Sequence, residues 1–210
     1  MPVDELHSRR SNAERKAETI DRIINATLEA ITEVGLRNAT TGEICRRAHV
    51  SLGALFHHFD TRLDVIVAAV EHHLRERLLR YTSYLSSQQQ DAADPRSLIR
   101  MLRSVQREPR SMVWLEVVME TRTDAQLRDR IQPILQRQRE VFRELAVAQP
   151  ELNQMPIDAR NAWLELLRNV LHGEALWEHV KPHHDLDEPK LDALVALSRE
   201  MGASIHVGTP

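Results

Sequence analysis

The stretch TGEICRRAHVSLGALFHHF, residues 41–59, contains two short helical segments separated by a tight turn. Thr40 or Thr41 can cap a helix that ends near residue 48, and Ser51 can cap a second helix that runs to about residue 57. This spacing predicts a helix-turn-helix, in which the second helix enters the major groove of DNA. Its outward positions are expected to be Ser51, Leu52, Ala54, His57 and His58. Most of these side chains are small or flat, which allows a helix to lie deep in the groove.

The rest of the chain is predicted to be helical as well, because apolar residues recur at spacings of three and four and strand-like alternation is absent. A first helix over 12–34 should end at Gly35, and a long one should start at Asp60 or Thr61. The positions expected to hold the short helices on the first one are Ile44, Ala48, Val50, Leu55 and Phe59. Beyond the polar linker 86–95, helices are predicted over 96–107, 109–122, 124–147, 157–180 and 187–203. Pro133 should kink or split the third of these.

The segment GLRNATTGEICRRAHVSLGALFHHFDTRL, residues 35–63, resembles the N-terminal domain of the TetR family of transcriptional regulators. The similarity spans residues 15–70 in register and without gaps. It implies an all-α protein with a three-helix helix-turn-helix domain at 1–60, which includes a flexible arm at 1–14. A long fourth helix would join it to a helical effector-binding and dimerisation domain at 61–210. The implied function is that of a homodimeric regulator, in most cases a repressor, released from a palindromic double-stranded DNA operator by a small-molecule effector.

The resemblance also implies which residues meet DNA. The expected surface consists of Arg37, Thr41, Arg46, Ser51, Leu52, Gly53, Ala54, Phe56, His57 and Arg62. Thr41 should donate to a phosphate at a helix N-terminus, and Arg62 should hold another where the family has lysine. Phe56 replaces the usual tyrosine, so either its ring faces the sugar-phosphate backbone without a hydroxyl or it is buried. His49 replaces a glycine in the turn, and histidine tolerates the left-handed conformation better than most residues.

The N-terminal arm is a second candidate for DNA contact. The chain has a formal net charge of −3 and is not a general binder of polyanions. Residues 7–16, however, carry Arg9, Arg10, Arg15 and Lys16 against the single acid Glu14. Such an arm could enter the minor groove, or it could be a solvated tail.

The C-terminal part is expected to hold the effector pocket and the dimer interface. The candidate ligand-binding residues are Trp114, Glu116, Phe142, Asn169 and His172. For these residues a structural role, such as a packed core tryptophan or an arginine-paired carboxylate, is an alternative. The leucines expected to form the interface between two copies are Leu164, Leu167, Leu171, Leu191, Leu194 and Leu197. They would form a four-helix interface across a two-fold axis.

Metal binding and catalysis are not favoured. His172 and His179 lie two turns apart on one helix, and His183 and His184 follow, but no HExxH or cysteine pattern accompanies them. No nucleophile elbow or phosphate loop is present, so neither an enzyme nor a cofactor is expected. The alternative function is a helical small-molecule carrier or interaction adaptor that has lost DNA binding, which Phe56 and His49 would favour.

The expected compartment is the cytoplasm. Cys45 is the only cysteine, which excludes an intramolecular disulfide and fits a reducing environment. The sequence has no apolar run near the roughly 20 residues that span a bilayer, and its first residues lack the apolar stretch of a signal peptide.

Overall fold

The computed structural model describes residues 12–87, 95–147, 149–180 and 187–203, and all ten regular elements in these ranges are α-helices. Contacts divide the chain into two compact units between His72 and His73, within the fourth helix. The first unit contains α1 (Asn12–Val34), α2 (Thr41–Ala48), α3 (Leu52–His58) and the beginning of α4 (Arg62–Ser87). The domain boundary expected from the sequence lies at residue 60.

The core of the first unit forms where α1 packs against α2 and α2 against α3. One face of α1 is fully enclosed, with Ile23, Leu28 and Ile31 at 0% exposure. Ile44 and Leu55 are equally buried on α2 and α3. Each such side chain contributes about 1.5–3 kcal/mol relative to an exposed one. The inward positions predicted from the sequence are therefore confirmed for Ile44, Ala48 and Leu55, whereas Val50 and Phe59 are half-buried.

Gly35 ends α1 as the sequence predicts. Its φ of 81° lies in the left-handed region, which glycine adopts without a Cβ clash. Its amide donates to the carbonyl of Ile31 over 3.0 Å, which satisfies one of the carbonyls left open at the helix end.

The second unit contains the end of α4 and six further helices. These are α5 (Pro95–Gln106), α6 (Ser111–Glu120), α7 (Ala125–Val147), α8 (Pro150–Gln154), α9 (Ile157–Glu178) and α10 (Asp187–Ala203). α10 packs on α5 and α9, and α5 packs on α9. The core that results includes Trp163 and Leu191, which are 2% and 0% exposed.

Two differences from the sequence-based helices concern prolines. The short helix α8 was expected to be a connecting stretch, but Pro150 at its first position suits a helix start and Leu152 and Met155 are buried. Pro133 lies inside α7, which continues across it without a break. Of the two expected outcomes at Pro133, splitting of the helix is therefore wrong, because the residues on both sides keep their helical conformation.

A buried ion pair fixes the packing of the second unit. The guanidinium of Arg103 on α5 donates through Nε to Glu174 Oε2 on α9 over 2.8 Å, and through Nη1 to the carbonyl of Asp187 over 2.9 Å. Both charged side chains are less than a tenth exposed. Breaking such a pair by removing one partner costs about 3–5 kcal/mol, so Arg103 holds α5, α9 and the start of α10 together.

Five of the six leucines expected at the dimer interface face the protomer's own core instead. Leu164, Leu167, Leu171, Leu191 and Leu194 are all at most 8% exposed, and only Leu197, at 40%, reaches the surface. α9 is apolar on more than one face, so its sequence could not show which face lies inside. In the described residues, no helix combines the length and the apolar character that crossing a membrane requires.

Candidate DNA-binding surface and ligand pocket

The turn between α2 and α3 is formed around His49. This residue adopts φ 53° and ψ 46°, and it is the only residue other than glycine with a positive φ in the described ranges. The amides of His49 and Val50 both donate to the carbonyl of Cys45, the latter over 3.1 Å. The turn thus has the left-handed conformation that the family resemblance implies at this position. A side chain there costs roughly 1–2 kcal/mol relative to glycine.

Side-chain caps fix the beginnings of α2 and α3. Thr40 Oγ1 accepts from the amide of Glu43 over 3.2 Å, and Ser51 Oγ accepts from the amide of Ala54 over 3.1 Å. Thr40 is therefore the cap and Thr41 the first helical residue. The amide of Thr41 lies where the first turn of a helix has no intrahelical acceptor, which is a position suited to a phosphate.

The outer face of α3 is open to solvent. Leu52 and Phe56, one turn apart, are 50% and 43% exposed, and Ser51, Gly53 and His57 are also exposed. Ala54 is half-buried. Of the two alternatives for Phe56, burial in the protein is therefore excluded. These two large apolar side chains, one turn apart, form an exposed apolar face that a partner molecule can cover.

Gly53 lies in the middle of this exposed face, and the chain's own fold does not require a glycine there. A Cβ added at this position would have the Ser51 hydroxyl oxygen, 4.0 Å away, as its nearest neighbour. Glycine nevertheless costs a helix about 1 kcal/mol relative to alanine. A backbone without a side chain at this point suits close approach by a molecule outside the protomer.

Arg62 is half-buried and is engaged with the backbone of its own unit. Its Nε donates to the carbonyl of Ala39 over 2.9 Å, and its Nη2 donates to the carbonyl of Leu36. These bonds tie the first turn of α4 to the loop between α1 and α2. The geometry thus favours a role in positioning the helix-turn-helix over the phosphate contact expected from the sequence.

The other expected cations lie at the edge of the motif. Arg37 is exposed in the loop before α2, and Arg46 is exposed on α2. Arg46 makes two hydrogen bonds to Glu43, of 2.7 and 2.9 Å, and Arg47 makes one of 2.6 Å. The hydrogen bonds from Arg46 and then Arg47 lower the pKa of Glu43 to about 2. The charge of Arg46 is therefore partly offset by this carboxylate.

The two histidines of α3 differ in environment. Their rings meet edge to face, with centroids 5.0 Å apart. His57 is exposed, whereas Nδ1 of His58 is buried without a hydrogen-bond partner. Burial lowers the pKa of His58. His57 is thus the histidine placed to reach a neighbouring molecule.

The N-terminal arm can be placed only in part. Arg9 and Arg10 lie outside the described residues. α1 already begins at Asn12, so residues 12–14, counted with the flexible arm, are helical. Arg15 donates to Asn12 Oδ1 over 2.9 Å on that first turn.

The second unit contains two adjoining cavities. The first, here called the apolar cavity, is lined mainly by apolar side chains that include Leu98, Met101, Leu145, Leu152, Met155 and Trp163. The second, here called the basic cavity, is lined by Arg77, Arg139, Arg143, Arg168, Glu165 and His172, together with glutamines and apolar residues. The side chains that line both cavities are Tyr81, Leu102, Phe142, Leu164 and Leu167.

Three of the five candidate ligand residues meet at the basic cavity. Trp114, Phe142 and His172 line it, but Glu116 and Asn169 do not. Glu116 is two positions beyond Trp114, which turns it by about 200° to the other side of α6. Asn169 is exposed on α9. Neither residue lines the cavity as expected, because Glu116 points to the other side of α6 and Asn169 is exposed to solvent on α9.

The arginines of the basic cavity were missed by the sequence reasoning. Arg77 and Arg168 each lie four residues before another lining residue, Tyr81 and His172, so helical periodicity could have indicated them. Burial, and then the charges of Arg77 and Arg168, lower the pKa of His172 to about 4. His172 is therefore neutral at pH 7.

The histidines do not form a metal site in the described residues. No group of three or more His, Cys, Asp or Glu side chains there is arranged to hold a metal ion. His179 Nδ1 instead lies 3.0 Å from the carbonyl of Ala175 on its own helix. His183 and His184 lie outside the described residues.

Comparisons with known proteins agree with this geometry. A family model described as bacterial regulatory proteins, tetR family, matches residues 23–69. An uncharacterised HTH-type transcriptional regulator of Mycobacterium tuberculosis is 30% identical over 188 residues, which cover 90% of this chain and 96% of the relative. The multidrug binding protein EbrR, crystallised with imidazole, has a similar fold, with a TM-score of 0.64 and 19% identity over 87% of this chain and 93% of EbrR. FadR from Bacillus subtilis, solved with stearoyl-CoA, has a TM-score of 0.59 and 17% identity over 90% of this chain and 99% of FadR.

Proposed function

We propose, from the premise that this chain belongs to the TetR family of helix-turn-helix transcriptional regulators, that it is a homodimeric repressor released from a palindromic operator by a small molecule. The observation that carries the DNA-binding part is the open face of α3. Leu52 and Phe56 are exposed there, and Gly53 leaves the helix backbone accessible between them. This face is the one that a reading helix turns toward the major groove.

On this proposal, the contacts fall into two classes. The residues of α3 and its N-cap that meet base edges and sugars are Ser51, Leu52, Gly53, Ala54, Phe56 and His57. Thr41 donates to a phosphate from the N-terminus of α2, and Arg37 and Arg46 provide positive charge beside it. Arg62 holds the motif in place through the carbonyls of Leu36 and Ala39 and has no need to touch DNA.

We also propose that two copies pair through the outer face of α9 together with α10. Leu166, Val170 and Trp177 recur along α9 at spacings of four and seven and are 48%, 41% and 64% exposed. Leu197 on α10 is 40% exposed. Apolar residues at such spacing form a stripe that a second helix covers. Pairing through a two-fold axis would place two reading helices in successive major grooves, about 34–36 Å apart.

The cavities of the second unit support control by a small molecule. Cavities with apolar walls and a few polar groups are the usual form of ligand sites, and EbrR and FadR, which share this fold, were crystallised with small molecules. An effector releases DNA only to the extent that it binds the DNA-free state more tightly than the DNA-bound state. A regulator of this kind acts where chromosomal DNA is, so we place the protein in the cytoplasm.

The alternative is a helical carrier or adaptor that has lost DNA binding. Phe56 favours it, because the ring lacks the hydroxyl that reaches a phosphate, and so does the occupied guanidinium of Arg62. A footprint on the DNA upstream of the protein's own gene separates the two functions. A repressor protects a palindrome there, and the added effector removes the protection. An adaptor protects no sequence at any protein concentration.

A further inference from the structure

We propose that the second unit binds amphiphiles that carry an anionic oxygen head group on an apolar chain, with the head group at Arg77, Arg143 and Arg168. This inference deepens the proposed function and rests on it, since it names the chemical class of the effector. It stands on the charge of the basic cavity and on the cavity's position beside the apolar one.

Arg77 is the most deeply buried of the arginines that line the basic cavity. Its side chain is buried, with 3% of the residue exposed, and Nη2 donates to the hydroxyl of Tyr81 over 3.0 Å. Its Nε is buried without an acceptor. In the described ranges, no carboxylate lies within ion-pair distance of this guanidinium. Arginine does not lose its proton in proteins, so a positive charge remains in the interior without a counter-charge.

Three further arginines surround the same cavity, and one carboxylate serves two of them. Glu165 pairs with Arg168 and lies 3.6 Å from Arg139. Arg143 is exposed, and Nε of Arg168 is buried without an acceptor. Burial lowers the pKa of Arg168, and the charges of Arg139 and Arg143 lower it further. Four guanidinium groups against one carboxylate leave the cavity with an excess of positive charge.

Two aromatic side chains lie at the boundary between the basic cavity and the apolar cavity. The rings of Tyr81 and Phe142 meet edge to face at 5.8 Å and line both cavities. The hydroxyl of Tyr81 is bonded to Arg77, so one side chain links the positive end to the apolar end. Gln149 and Ser198 are the polar residues among the side chains that line the apolar cavity without bordering the basic one, and both are uncharged.

These features select the ligand class. The planar fork of a guanidinium binds carboxylate and phosphate oxygens in pairs, so both are suitable head groups. An uncharged ligand would leave Arg77 without a counter-charge, and a cationic one would be repelled by four arginines. Leu98, Met101 and Trp163 offer apolar contact to a hydrocarbon chain, and methionine adapts its shape to such a chain.

The test uses four probes with the same ten-carbon chain, at concentrations below micelle formation. Decanoate and decyl phosphate are titrated into the full-length protein by calorimetry, beside decan-1-ol and decylammonium. We expect at least one of the two anions to bind about tenfold or more tightly than the alcohol, with no binding of the ammonium. Which anion is preferred identifies the head group as carboxylate or phosphate. Equal binding of the anions and the alcohol, or binding of neither anion, overturns the proposal.

Arg77→Met tests the site itself, with Arg80→Met as a matched control. Arg80 lies on the same helix but is exposed and pairs with Glu108. Arg77→Met should weaken binding of the preferred anion about tenfold or more, without lowering the melting temperature, because the change removes a buried charge that has no counter-charge. Arg80→Met should leave binding unchanged. Unaltered affinity in a folded Arg77→Met protein overturns the assignment. If that variant does not fold, Arg143→Met, at an exposed position, decides in the same way.

DNA binding is measured in parallel, so that the two proposals fail separately. If an anion binds and the operator complex is unaffected, the ligand class stands and the regulatory role fails. If the protein protects a palindrome but neither anion binds, the regulatory role stands and the ligand class is wrong.

Discussion

Restoring a hydroxyl at residue 56 is expected to strengthen DNA binding. Phe56 is 43% exposed on the outer face of α3, so the added oxygen of Phe56→Tyr can reach solvent and needs no partner in the protein. A hydrogen bond to a charged group contributes about 1.5–3 kcal/mol at best, and less where water already bridges the groups. We take a net gain of about 1 kcal/mol, which corresponds to an affinity increase of about fivefold.

The assay measures both affinity and stability. Fluorescence anisotropy gives the dissociation constants for operator and for random DNA of equal length, and calorimetry gives the melting temperature. The gain should be equal on both DNAs, because phosphate contacts position the protein and carry no sequence information. The melting temperature should change by no more than about 2 °C, since an exposed substitution alters stability by about 0.5 kcal/mol or less. Phe59→Tyr makes the same chemical change at a half-buried position and should bring no gain in affinity.

Two results would refute this reasoning. A lowered melting temperature without a gain in affinity would mean that the ring of Phe56 packs against the protein, where the added hydroxyl has no partner. A gain on operator DNA alone would mean that the hydroxyl reads a base and does not hold a phosphate.

Other expected outcomes concern four further positions. Gly53→Ala should raise the melting temperature by about 1–3 °C, because alanine favours the helix by about 0.5–1 kcal/mol. The same change should weaken operator binding about tenfold, because the added methyl group overlaps the DNA. Unchanged affinity would show that DNA does not approach this backbone. Arg62→Ala should lower the melting temperature and leave the salt dependence of DNA binding unchanged, whereas a salt slope reduced by about one unit would restore the phosphate contact. Trp177→Glu should shift the sedimentation coefficient from dimer to monomer, and a wild-type monomer at micromolar concentration would contradict the proposed interface. The pKa of His172 is lowered to about 4, so its neutral form stabilises the fold fully above pH 6.5, and this contribution is lost as the pH falls toward 4. Between pH 7.5 and pH 5, the His172→Asn variant should therefore lose about 2 kcal/mol less stability than the wild type. Identical pH profiles of the two proteins would exclude His172 as the source of this pH dependence.

Local features were predictable from the sequence, whereas features that depend on distant partners were not. The cap at Ser51 binds an amide three residues away, so sequence spacing indicates it, whereas for α2 spacing leaves Thr40 and Thr41 as alternatives. The left-handed turn at His49 is implied by the resemblance to the family, which has a glycine there. The carbonyls bound by Arg62 lie 23 and 26 residues earlier in the chain, and no pattern near Arg62 reveals them.

The second unit shows why apolar helices are harder to interpret. Leu164 and Leu167 face the core, while Leu166 and Val170 on the same helix face solvent. Because both sets are apolar, periodicity shows that a helix exists but not which side is buried. The basic cavity was also not predictable from the sequence, since its arginines come from α4, α7 and α9 and meet only when these helices pack.

The central claim, that α3 is the reading helix of a dimeric regulator, is tested most directly by a salt series on the full chain with DNA from upstream of its own gene. If Arg37 and Arg46 of both copies each neutralise one phosphate, the logarithm of the association constant should fall with the logarithm of salt concentration at a slope of about −3.6. Affinity should then drop roughly a hundredfold between about 50 and about 200 mM salt, with a scrambled sequence bound more weakly throughout. Absence of binding at every salt concentration, or equal affinity for the scrambled sequence, would contradict the account.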